Sequence, residues 1–154
     1  MSDTKTEVRG NVGFLVWRLS MRWRAAMDHE LAALGLTQAQ YAVLAPLAGM
    51  SRAGARPSQR ELADLTGLDA VYISKLVRAL ERAGFVTRST RAADPRAVEL
   101  SLTERGTATV QEAQKIVCEL RDRLTRPLGG NDGTRTGELA KVLQQLLDTS
   151  EAGN

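Results

Sequence analysis

The sequence predicts a mainly α-helical chain with one small β hairpin. Three observations lead there. Apolar residues recur at three- and four-residue steps through most of the 154 residues, the period of a helix with one buried face. Two capping boxes, Thr37 with Gln40 and Ser58 with Glu61, mark helix starts. The period shortens to two only between about residues 85 and 102. Hydrophobic residues at 43% and charged ones at 25% are a globular composition; aromatics at 4% leave a core of Leu, Val and Ala.

Met1 to Arg9 is polar and charged and is expected to fray. From about Asn11, Val12, Leu15, Val16, Leu19, Trp23, Ala26 and Met27 follow a helical period that Gly35 ends. Trp17, Met21 and Trp23 are candidates for a ligand pocket or, as a simpler reading, for packing at a core or interface. Asp28, His29 and Glu30 are consecutive, so they point apart on a helix and read as solvated surface, not as a metal site. The helix capped by Thr37 turns Tyr41, Leu44 and Leu47 to the core, with Pro46 weakening it near its end. Gly49 to Pro57, with Arg52 and Arg56, reads as a loop.

That loop leads to the stretch around which the chain is organised, Ser58 to Gly84. Ser58 and Glu61 cap a short helix with Leu62 and Leu65 on its apolar face, and its free N–H groups favour an anion. Thr66-Gly67-Leu68 breaks the helical run. Asp69 caps a second helix whose buried face is Ile73, Leu76, Val77 and Leu80, leaving Lys75, Arg78 and Arg82 outward. Helix, Gly-containing turn and basic helix are the pattern of a helix-turn-helix. An ordinary helical hairpin with a solvated basic face is the competing reading. Phe85–Thr90 and Ala97–Leu102 follow as strands, the second turning Val98, Leu100 and Leu102 inward, with Asp94-Pro95 as the turn signal. A hairpin placed there is a wing whose tip, with Arg91 and Arg96, suits a narrow minor groove.

Thr103 caps the next helix, where Val110, Ala113, Val117, Leu120 and Leu124 alternate steps of three and four, a heptad-like seam beside which Cys118 lies. Pro127, Gly129 and Gly130 close it, and Asn131 to Gly137 reads as a flexible turn. A last helix carries Leu139, Val142, Leu143, Leu146 and Leu147 on one face. Such terminal helices are expected to bury their faces against a second copy of the chain.

The formal charge is +3 and the pI about 9.4, a mild basic excess compatible with nucleic acid. A single cysteine excludes an internal disulfide, and one histidine with one cysteine leaves little for a zinc site. No Ser/His/Asp arrangement, metal cluster or phosphate-cradling loop emerges, so no catalytic residue, metal or cofactor is expected. No long apolar segment or signal pattern is visible, and a soluble cytoplasmic protein without a membrane partner is expected.

Taken together, Leu36-Thr37-x-x-Gln40-Tyr41-x-Val43-Leu44, Gln59-Arg-Glu-Leu-Ala63, Leu76-Val-x-x-Leu80-Glu81-x-x-Gly84-Phe-Val-x-Arg88 and Asp94-Pro-Arg96-Ala97 before Leu102-Thr103-x-x-Gly106 resemble the MarR family of winged helix-turn-helix transcription regulators. The resemblance runs from about Val12 to Leu147 and rests on the order and spacing of these pieces. It implies an obligate homodimer, with 1–35 and 104–154 as a helical dimerisation region and 36–103 as the winged DNA-binding domain. It also implies a recognition helix in the major groove of a pseudopalindromic duplex. Tyr72, Ser74, Lys75 and Arg78 are then expected at bases and nearby phosphates, with Ser58, Arg88, Arg91, Asp94 and Arg96 completing the DNA-binding set. Arg96 matches the family's wing arginine and Asp94 the acidic residue that helps to hold it, whereas Pro95 and Lys75 stand where relatives often carry Arg. Relatives are often released from DNA by small phenolic or lipophilic effectors, for which Trp17, Met21 and Tyr41 are the candidate contacts. Two alternatives stay open. One is a redox-sensing relative using Cys118, against which a buried structural thiol is the preferred reading. The other is a helical adaptor that binds no DNA.

Overall fold

The computed structural model describes residues 10–151; Met1 to Arg9, expected to fray, lie outside them. The elements are α1 (Val12–Leu31), α2 (Gln38–Arg52), α3 (Gln59–Thr66), α4 (Ala70–Arg82), β1 (Val86–Arg91), β2 (Asp94–Leu102), α5 (Glu104–Thr125) and α6 (Thr134–Glu151). They form two compact units, one ending at Gln114 and the other beginning at Lys115, inside α5.

In the first unit the chain's local signals become structure directly. Asn11 caps α1 by accepting from the Phe14 N–H at 3.2 Å. A short 3-10 turn, Ala32–Leu34, ends at Gly35 with φ +69°. Thr37 and Gln40 form a two-way capping box at the start of α2. Asp28, read from the sequence as solvated surface, adds a tie: its Oδ1 accepts the Gln38 N–H at 2.7 Å, fixing the end of α1 against the start of α2. The core is built from Leu31, Val43, Leu44, Leu47, Leu62, Ile73, Val77 and Leu80, all fully buried. Tyr41 is only half-buried.

Two local expectations give way to packing. The loop expected from Gly49 starts only after Arg52, because α2 runs on through Pro46 to that residue. A proline inside a helix costs about 3 kcal/mol, yet Val43, Leu44, Leu47 and Ala48 bury one continuous face around it. Leu65 is 61% exposed instead of joining Leu62. At 3.6 residues per turn it lies about 110° from the middle of the face shared by Leu62 and Ala63, which an eight-residue helix commits to the core.

β1 and β2 pair antiparallel, Val86 opposite Leu102 through Thr90 opposite Val98. The hairpin then departs from the expected six-residue loop. Arg91 pairs with Asp94, so the turn is only Ala92 and Ala93, and Pro95, Arg96 and Ala97 form a bulge in β2. Proline is tolerated there because a bulge asks no ladder hydrogen bond of it. Val86 and Leu100 are the fully buried residues of the hairpin, and the Leu100 N–H donates to the Pro57 carbonyl at 2.9 Å.

The start of α5 is locked to the end of α4. Thr103 Oγ1 accepts the Gly106 N–H at 2.9 Å and donates to the Gly84 carbonyl at 2.6 Å. Gly106 lies so close to the chain at Phe85 that a Cβ would stand 1.9 Å from the Phe85 carbonyl oxygen. In the second unit Leu120 and Thr125 are buried, and a 3-10 turn, Arg126–Leu128, leads to Gly129 at φ +100°. The segment after it is better anchored than its composition suggests. The Asn131 N–H donates to Asp122 Oδ1 at 2.9 Å and the Thr136 hydroxyl to the Gly130 carbonyl at 2.7 Å.

Gly106→Ala should destabilise the protein by about 1–3 kcal/mol, because the new methyl meets backbone that cannot yield as a side chain can. Thermal melting followed by circular dichroism should show Tm lower by roughly 2–12 °C; an unchanged Tm would mean that α5 starts further from Phe85.

Candidate nucleic-acid interface

Burial fixes what α4 displays. Ile73, Leu76, Val77 and Leu80 occupy one face. At 100° per residue, Val71, Lys75, Arg78 and Arg82 fall in a narrow stripe on the opposite face, and all four are exposed. Tyr72, 39% exposed, flanks this stripe on one side, and half-buried Ser74 flanks it on the other. Val71, 65% exposed, was not among the residues read as functional. Its signal was available, since it lies four residues before Lys75. The N-terminus of α4 is held by Asp69 Oδ1, which accepts the Val71 and Tyr72 N–H groups at 2.9 and 3.1 Å.

α3 enters through a buried polar residue. Ser58 is only 6% exposed. Its Oγ accepts the Glu61 N–H at 3.1 Å, and Glu61 Oε2 accepts the Ser58 N–H at 2.6 Å. That backbone N–H foremost, followed by the Ser58 hydroxyl and Arg91, holds the Glu61 carboxyl below its ordinary pKa. α3 closes at Gly67 with φ +68°, and the Thr66 hydroxyl donates to the Leu62 carbonyl at 2.7 Å. The Ser58 side chain is therefore spent on the cap and faces inward.

The wing arginines take three different positions. Arg88 Nε donates to Glu81 Oε2 at 2.8 Å, joining the base of the wing to α4. Arg91, expected at the tip, folds back. Its Nε donates to Glu99 Oε1 at 2.9 Å, and its terminal nitrogen donates to the Arg56 carbonyl at 3.2 Å and lies 3.5 Å from Glu61 Oε2. Glu99 foremost, and Glu61 after it, raise the Arg91 pKa further above its ordinary value. Arg96 is exposed, and no ion pair among the described residues engages its guanidinium. Asp94 holds Arg96 by a different atom from the one expected: Oδ1 accepts the Arg96 backbone N–H at 3.0 Å. A groove of about 1060 Å³ separates α3 from the wing, lined by Ser58, Arg60, Glu61, Arg91, Asp94 and Arg96 among others.

The candidate ligand residues are not gathered in this way. Trp17 and Met21 are 58% and 52% exposed on α1, and Tyr41 is half-buried on α2. None of the three lines the groove, the 470 Å³ cavity beside Arg52, Arg56 and Val110, or the 210 Å³ cavity beside Tyr72. Cys118 is exposed, which corrects the expected buried thiol. Its Sγ lies 3.5 Å from Asn131 Nδ2 and 3.9 Å from an Arg121 nitrogen, both on the solvent side of the second unit. Being beside a heptad-like seam does not bury a position; on this helix Leu120 takes the inward place. Among the described residues no three metal-ligating side chains cluster, and no single helix is long and apolar enough to cross a membrane.

Comparison with known proteins converges on this architecture. The MarR family profile matches residues 34–97. The HTH-type transcriptional regulator YdcH of Bacillus subtilis is 36% identical over 105 residues, which are 68% of this chain and 71% of YdcH. Among solved structures, a mutant MarR from Escherichia coli complexed with operator DNA is 25% identical, with TM-score 0.78 over 95% of this chain and 99% of that one. The transcriptional repressor CouR, bound to a 23-mer DNA duplex, is 29% identical, with TM-score 0.75 over 94% and 95% of the two chains. CouR from Rhodococcus jostii RHA1 bound to p-coumaroyl-CoA is 26% identical, with TM-score 0.76 over 90% and 93%. With its capped helix pair, its wing and a relative of this identity and extent, the chain belongs to the MarR family of winged helix-turn-helix transcriptional regulators.

Proposed function

We propose that the chain is a homodimeric regulator that binds pseudopalindromic double-stranded DNA and represses transcription, and that it is not an enzyme. The observation that carries this reading is the α4 stripe of Val71, Lys75, Arg78 and Arg82, set opposite the buried face. A helix so displayed fits the major groove, where Lys75 and Arg78 meet acceptor-rich guanine edges and phosphates and Val71 meets a thymine methyl. Tyr72 and Ser74 flank that contact, and Arg96, exposed at the wing, serves the adjacent minor groove. Ser58 and Arg88 contribute through the fold, one capping α3 and the other bracing the wing base.

The dimer is assigned to 1–35 with 104–154, and the DNA-binding domain to 36–103. Val12, Leu15, Val16 and Leu19 on α1, and Leu139, Val142, Leu143, Leu146 and Leu147 on α6, are each 39–68% exposed. A second copy is the proposed cover for both helices. The CouR complexes, one with DNA and one with p-coumaroyl-CoA, support a lipophilic effector, for which Trp17, Met21 and Tyr41 remain the candidates. Cytoplasmic localisation follows from a DNA partner. A second reading, redox sensing, draws on the exposure of Cys118. Operator affinity that ignores peroxide while the thiol is consumed would remove it.

Selection from a random DNA pool should return a pseudopalindrome with half-sites about one helical turn apart. Binding to it should weaken as a steep power of salt, by about 0.9 log units per tenfold salt for each phosphate neutralised. Recovery of no enriched sequence, with no salt-dependent affinity for random duplex, would favour the adaptor reading. Lys75→Ala and Arg78→Ala should each weaken operator binding about tenfold or more with an unchanged melting curve. Leu143→Gln should move the protein toward monomer in sedimentation velocity before it alters DNA selectivity.

A further inference from the structure

Building on the DNA-binding reading, we propose that Arg91 is a positioning residue. It fastens the wing to the N-terminus of α3 and thereby sets the exposed Arg96 against the α4 stripe, without contacting DNA itself.

One guanidinium joins three separate segments. Glu99 belongs to β2, the Arg56 carbonyl to the loop before α3, and Glu61 to the first turn of α3. Guanidinium presents five N–H donors in a rigid planar fork, so a single residue can span all three. The pair is partly shielded, with the Arg91 side chain 34% exposed and that of Glu99 18%. Nearer the wing base, Leu100 donates to the Pro57 carbonyl and Ser58 bridges to Glu99. Beyond Arg91 lies only the turn, Ala92 and Ala93, and across from it Asp94, Pro95 and Arg96 start the other strand, all five exposed. A two-stranded hairpin is marginal by itself in water. Arg91, the last residue of β1, is thus the outermost side chain of that strand tied to the helices, and the bulge carrying Arg96 lies beside it, between the partners of Arg91 and Thr90.

The reverse arrangement, with Arg91 swung out to a phosphate, is disfavoured by what it leaves behind. Glu99 would be left partly buried without its cation, and Glu61 would face the groove beside a polyanion. Glu61 cannot turn away, because its carboxylate also accepts the Ser58 N–H.

The test uses the full chain and an operator selected from random DNA, comparing wild type with Glu99→Gln, Arg91→Lys and Arg91→Gln across a salt series. Glu99→Gln removes a negative charge near DNA, which electrostatics alone would turn into tighter binding. Fastening predicts the opposite, a loss of about tenfold, because the amide holds Arg91 less firmly. Arg91→Lys should fall with it, since a compact ammonium keeps the charge without spanning the acceptors. Arg91→Gln should keep the wild-type salt slope. Equal or tighter binding by Glu99→Gln overturns the proposal, and so does a slope reduced by about one unit in Arg91→Gln, the mark of a lost phosphate contact. Hydrogen exchange in the free protein reads the fastening without DNA. The Arg96 amide should exchange faster in Glu99→Gln and Arg91→Lys, and unchanged protection overturns the proposal. Wild-type protein that binds no duplex, with exchange accelerated in both variants, would refute the DNA-binding reading and leave the fastening standing.

Discussion

The N-terminus of α3 sits beneath the wing, and the placement of the surrounding elements depends on how that junction is satisfied. The first N–H groups of a helix have no intrahelical acceptors, and Ser58 is too buried for water to take over. The capping box with Glu61 supplies the acceptors from within the helix. This releases the neighbouring backbone for the wing: the Pro57 carbonyl receives the Leu100 N–H, and Ser58 bridges to Glu99. Glu61 therefore serves two elements at once. Its carboxylate completes the cap and, beside Glu99 and the Arg56 carbonyl, it meets Arg91 of the wing.

A second constraint acts by rotation. A helix can present a residue outward only as its buried face allows, and α4 spends Ile73, Leu76, Val77 and Leu80 on the core. This leaves Val71, Lys75, Arg78 and Arg82 in one stripe. The capped entry at Asp69 and the reversal at Gly84, φ +78°, fix where that stripe starts and ends. The display is a by-product of packing. Specificity can then change at the exposed positions without cost to the fold.

What the sequence revealed well was local chemistry. Both capping boxes, the Asp69 cap, the stops at Gly35 and Gly67 and the buried face of α4 depend on residues within a turn of one another. What it concealed depended on partners far along the chain. The continuation of α2 past Pro46 is decided by burial of its apolar face. Leu65 has the right spacing from Leu62 and the wrong angle for a face centred between Leu62 and Ala63. Asp94-Pro95 signals a turn, but the turn is two residues earlier and the proline lies in a bulge. Arg91 flanks that turn, but its side chain folds back to partners the local sequence does not show, of which Glu61 and Arg56 lie 30 and 35 residues away. Of the candidate site, the outward residues of α4 were therefore legible, while the roles of Arg91, Glu99 and Asp94 required the register of the hairpin.

The exposed face of α1 bears on how such a protein is controlled. Its later part is anchored, with Met27 and Leu31 buried and Asp28 tied to the start of α2, while Val12 to Met21 display their large apolar side chains. α1 packs on α2, and α2 packs on α4. In the proposed dimer, each recognition helix is thus connected to the subunit seam through two packed helix contacts, with no flexible linker between them. Rotating one subunit against the other moves the stripe of Lys75 and Arg78 with it, and half-site spacing is sensitive to such displacement. An effector acts on that system only through a difference in affinity between two arrangements. In the proposed dimer a site touching α1 is well placed to make that difference, because there the same exposed apolar face would serve the seam while α1 packs on α2 and α2 on α4.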